Sequence, residues 1–258
     1  MAILLALFGL CLLLYVARIY THLVPKRRLK APDFVISLAV VLMVPVLTFV
    51  GLSIREGLGR HSYYISPEAN IAIKYYQFWM SVLGIWVAYL ARTSVACLLL
   101  QFDSSIRWRI VLYVFIVTQV AVPFSFDISH FNKCRPLRAM WEKVLGAKCW
   151  TKEQNLVFYY IVFIAISDLA FAIMPMLFIW KLGKTRIERV IITILMALGL
   201  CAMAIVIVRS VKVARRDSAR NSGKDDMRGK IDMVIICRVE DFILIAATCA
   251  PFLKSPLQ

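Results

Sequence analysis

AILLALFGLCLLLYVARIYTHLV, running from Ala2 to Val24, decides the class of this protein. Arg18 is its only Lys or Arg, and it ends at Pro25 followed by Lys26-Arg27-Arg28. A bilayer core about 30 Å thick takes about 20 residues of helix, so the run is long enough to cross it. A cleaved leader would have a shorter apolar centre, basic residues ahead of it and a small-x-small site behind it. None of these stands here, and the run reads as a retained first helix.

Working outward, six more apolar runs follow at 33–54, 75–101, 108–128, 155–180, 188–209 and 231–253. The hydrophobic class makes up 61% of the chain and charged residues 18%, where a soluble domain has about half and a quarter. The fold expected is an all-α membrane protein, a single bundle of seven transmembrane helices forming one domain over 1–258. Pro45, Pro123 and Pro175 fall within or near the ends of these runs; bilayer helices tolerate proline, so they predict kinks and not breaks. No internal repeat is visible, which argues against a transporter of duplicated halves. Ala214 to Lys230 is the only polar stretch and reads as a mobile loop.

A net charge of +16 would raise the question of nucleic acid in a soluble protein. Here the basic residues sit in short connections between apolar runs, where anchoring to headgroups and anionic lipid explains them. Nucleic acid is not an expected partner. Charge counts on the two sides are comparable. The first connection, however, packs Lys26, Arg27, Arg28 and Lys30 into five residues, and the first helix usually sets orientation. That places the N-terminus outside. Of seven cysteines, Cys11, Cys97, Cys201, Cys237 and Cys249 lie in apolar runs as small hydrophobes. Cys134 and Cys149 share a loop that this orientation puts on the oxidising side, where a disulfide persists; two separate thiols are the alternative.

The order of fragments along the chain resembles the fungal rhodopsin-domain membrane proteins, a family with satratoxin-cluster-type and receptor-like members. The fragments are Arg18 leading into Asp33, Gly57-Leu58-Gly59-Arg60-His61, and Arg92-Thr93-Ser94 through Phe102. Further on come Cys134-x-Pro136, Trp141 and Cys149-Trp150, then Ser167-Asp168, Pro175 and Trp180-Lys181-Leu182, then Gly199 and Arg209, and finally Glu240, Pro251 and Pro256. Cys237 stands where the family tends to have Trp, and the Asn usual a turn before Asp168 is missing. The eight-cysteine domain of some members is not in this sequence. The resemblance implies a multi-pass protein, in the plasma membrane, with a receptor-like role.

Ionisable groups in a bilayer cost roughly 2.5–3.5 kcal/mol each and are the first candidates for function. Arg92 and Asp168 fall within about three residues of the same depth, roughly 4.5 Å, and are expected to pair. A static ion pair holding two helices would explain them equally. Arg238 and Asp241 are spaced to pair on one helix face, which leaves Glu240 to turn towards Arg209 or a ligand; a hydroxyl or water would satisfy it as well. Tyr75, Tyr76, Trp79, Trp86, Tyr159 and Tyr160 are candidates for the outer wall of a pocket, or for an interfacial belt. The Gly57-x-Gly59-x-His61 run reads as a turn whose glycines take positive φ. His22, His61 and His130 have no ligand spacing, so no metal is expected.

No lysine lies within the last run, since Lys230 and Lys254 flank it, and no retinal or other cofactor is expected. Nucleotide-loop, serine-hydrolase and zinc-protease motifs are lacking, so the chain is not expected to be an enzyme. The expected function is a receptor-like or sensor protein of a fungal membrane, bound by lipid, a small-molecule ligand and a cytosolic signalling partner. The alternative is an accessory protein or transporter serving secondary-metabolite production; a membrane enzyme acting on a lipid-soluble substrate ranks last.

Overall fold

Residues 2–26, 31–100, 106–149 and 227–249 are described by the computed structural model, with eight positions between 160 and 173, all helical. Five long helices account for most of them: α1 (Ala2–Lys26), α2 (Ala31–Arg55), α3 (Pro67–Leu99), α4 (Ile106–Phe131) and α5 (Met227–Cys249). The first four are long and apolar enough to cross a membrane. The expected runs at 155–180 and 188–209 lie, apart from those eight positions, outside the described residues, as do Asp168, Pro175, Arg209 and the polar stretch 214–226.

Burial separates the helices by role. Of the most apolar window of α3, 67% is buried, against 17% for α1 and α4, so α3 is central and the other two are peripheral. On α1, Leu4, Cys11 and Arg18 are buried at a spacing of seven, while Ile3, Leu10 and Leu13 are exposed. On α4, Ile110, Val114, Val117, Phe124 and Ile128 form an exposed apolar stripe at helical spacing. Such a stripe is the lipid face of a bilayer helix. The core is built from Ile36, Met43, Val46 and Val50 of α2 against Val87, Ala91 and Val95 of α3.

Helix ends explain where the elements depart from the apolar runs. Helix α3 starts at Pro67, well before residue 75, because Ser66 caps it by accepting from the Ala69 N–H at 3.1 Å, with Pro67 and Glu68 in the first turn. Its 33 residues extend about 50 Å, so its first turns stand beyond the hydrocarbon. Pro45 and Pro123 lie inside continuous helices, as bilayer helices allow. Helix α2 stops in a turn closed by the Leu58 N–H to Ser53 O at 2.9 Å and the Gly57 N–H to Ile54 O at 3.1 Å. Gly57 (φ 104°) and Gly59 (φ 100°) supply the positive φ expected of them.

One end of the bundle carries this turn and the loop after α4. In the loop Cys134 and Cys149 are disulfide-bonded and paired in a short antiparallel ladder, β1 (Cys134–Arg135) with β2 (Lys148–Cys149). Trp141 anchors the loop to α3 by edge contacts to Tyr75 at 5.3 Å and Phe78 at 5.7 Å between ring centroids. In the same loop, burial pushes the Lys133 pKa down. Helix α5 starts at this end too, since a Cβ on Gly59 would lie 2.9 Å from Ile231 Cδ1.

Candidate functional site

Between α3 and α5 lies a cavity of about 390 Å³, within the range of small-molecule sites. Two ion pairs border it. Arg92 Nη2 is 3.5 Å from Glu240 Oε1, joining α3 to α5, with the Arg92 guanidinium carbon 5.3 Å from the Tyr89 ring centroid. Arg238 Nη1 is 2.8 Å from Asp241 Oδ2 along α5. All four side chains are less than 10% exposed. The second pair lies close against Gly84 of α3: a Cβ there would stand 2.7 Å from Arg238 Nη2 in its present position. Small residues at bilayer helix interfaces admit close approach in this way.

Sequence reasoning brings some of these residues together and misses others. The Arg238–Asp241 pair has the expected i,i+3 form. Arg92 meets Glu240; Asp168 and Arg209, the expected partners of the two, lie outside the described residues. Of the aromatic candidates only Tyr160 borders the cavity among the described residues. The others are drawn into packing at the loop end. Trp79 and Tyr75 make edge contacts with each other, Trp79 with Phe78 and Tyr75 with Trp141; Tyr76 meets Phe49 at 6.0 Å, and Trp86 Nε1 donates to Asp127 Oδ2 at 2.7 Å. An apolar ring gains more from ring neighbours than from an open wall. Tyr159 lies outside the described residues. His61 is exposed, and its carbonyl accepts from the Tyr64 N–H at 3.0 Å, consistent with a turn residue.

A second polar knot lies at the opposite end. Arg18 donates through Nε and Nη2 to Asp33 Oδ1 at 3.1 and 3.0 Å, and through Nη1 to the Thr248 carbonyl at 2.8 Å. It ties α1, α2 and α5 with two side chains each 1% exposed. The Thr248 carbonyl lies in the last described turn of α5, and a helix C-terminal end favours a cation. Ser94 Oγ of α3 donates to the Pro32 carbonyl at 2.8 Å beside it. Nothing in the sequence reading joined Arg18 to Asp33 as a pair. The available signal was a lone Arg in an apolar run and a lone Asp at the start of the next.

Apolar spans around buried ion pairs define an α-helical integral membrane protein with a polar-edged cavity between its helices. The fungal rhodopsin domain matches residues 17–258, and the chain belongs to that family. No curated protein and no solved structure matches the chain significantly.

Proposed function

We propose that this fungal membrane protein is a seven-helix, receptor-like sensor of the plasma membrane that binds a small molecule between α3 and α5. It forms no covalent intermediate with the ligand and releases it unchanged. The observation that carries the reading is the cavity edged by the Arg92–Glu240 contact between two helices. A ligand that favours one arrangement of that contact shifts the bundle between two states, by as much as its affinities for them differ. Cytosolic partners would read the shift.

Seven crossings are supported by parity. Helix α4 ends at the disulfide end and α5 begins at the same end. Contacts of Cys11 with Phe242 and of Arg18 with Thr248 show that α1 and α5 run parallel. A seven-helix bundle needs an even number of crossings between α4 and α5, and the apolar runs at 155–180 and 188–209 would supply two.

The test is complementation of a deletion strain with wild type, Arg92→Ala, Asp168→Asn and Glu240→Gln at matched membrane abundance. The expected result is a transcriptional response to culture filtrate restored by wild type and lost in Arg92→Ala and Glu240→Gln. An unchanged response in all variants would sink the mechanism. Substrate flux in proteoliposomes that Asp168→Asn abolishes would replace sensing by transport.

A further inference from the structure

We propose that the cavity between α3 and α5 takes a neutral, mainly apolar molecule and discriminates against its anionic counterpart. The inference rests on the reading of this cavity as a ligand site and adds the chemical class of the ligand.

Four of the five charges at the wall are paired with one another. Arg92 is held by Glu240 and Arg238 by Asp241, and all four groups are buried. A charged ligand that divided one of these pairs would leave the abandoned partner ionised in a medium of low dielectric. Lys230 adds a fifth charge from the first turn of α5, and it too is engaged in a polar or electrostatic contact. The remaining wall is largely apolar, with Met80, Ile85, Ala88, Phe126, Met233 and Val234. Gln77 and Ser81 are neutral polar groups on it, and the Ser81 hydroxyl donates to the Gln77 carbonyl at 2.9 Å. Such a wall suits a compact lipophile with one or two hydroxyl or carbonyl groups.

The probes are 1-anilinonaphthalene and 8-anilinonaphthalene-1-sulfonate, which share one ring skeleton and differ by a sulfonate. Saturable fluorescence is measured on the full chain in phosphatidylcholine nanodiscs. Two cavity-filling variants serve as controls, Ala88→Trp and, at an exposed wall position, Ser81→Trp. The anion is the demanding comparison, because Lys230 favours it. The expected result is a Kd at least tenfold lower for the neutral probe, with binding lost in both filled variants. Equal or tighter binding of the sulfonate, also lost on filling, would overturn the ligand class and leave the site standing. Failure of both probes to show saturable binding sensitive to filling would overturn the site and the class together.

Discussion

Gly84 and Arg238 show how one absent side chain positions a charge. The 2.7 Å approach of a Cβ falls on the far end of a flexible side chain. Gly84→Ala should therefore leave the protein folded but displace the guanidinium, and Gly84→Leu should destabilise it clearly. The order of thermal midpoints in nanodiscs, wild type above Ala above Leu, checks this. At the Arg92–Glu240 contact, removing one partner strands a buried charge, so Glu240→Leu alone should cost about 3–5 kcal/mol. Arg92→Met with Glu240→Leu should recover at least half of that loss, and strict additivity in the double-mutant cycle would deny the coupling. The candidate charges were legible because a bilayer makes any charge conspicuous. The Arg238–Asp241 pair was legible from its i,i+3 spacing, but the Arg92–Glu240 contact was not, since depth along a helix says nothing of which face turns to which neighbour.

Elements were legible wherever apolarity and helix end coincide. Helices α1, α2 and α4 follow their apolar runs within three residues at either end. Helix α3 does not, because a Ser-Pro-Glu start extends it through the polar residues Glu68, Asn70 and Lys74. The turn after α2 was visible from its glycines, but its docking onto α5 was not. Gly59→Ala meets both a strained backbone and Ile231, whereas Gly57→Ala meets only the strain. The backbone term is about 1–2 kcal/mol for each. Ile231→Ala should rescue part of the Gly59→Ala loss and none of the Gly57→Ala loss, read as thermal midpoints. The disulfide closes a loop of sequence separation 15, worth about 3 kcal/mol in chain entropy. Cys149→Ser should accordingly speed proteolysis between Cys134 and Cys149, and rates equal to wild type would show that Trp141 alone holds the loop.

For the whole molecule, the end that carries the disulfide also carries the α2–α3 turn and the start of α5, so one orientation measurement assigns them all. Cys134 and Cys149 should react with a membrane-impermeant thiol reagent in intact spheroplasts only after reduction. Reaction only after permeabilisation would invert the topology and place the loop in the cytosol. The basic first connection was the sequence signal for orientation, and it conflicts with an equally basic opposite side. Bulk charge is too blunt to orient a chain this rich in Lys and Arg.

The Arg18 knot bears on how such a chain enters a membrane at all. A first segment carrying an arginine is a poor candidate to leave the insertion machinery alone. Asp33 follows 15 residues later, however, and its carboxylate accepts from two nitrogens of that same guanidinium. The first two segments can partition into lipid together with their buried charges already paired. The third donor bond waits for the Thr248 carbonyl, 230 residues downstream. Arg18 would thus serve twice in biogenesis, first to release a pair of helices and last to lock the bundle once synthesis has reached α5.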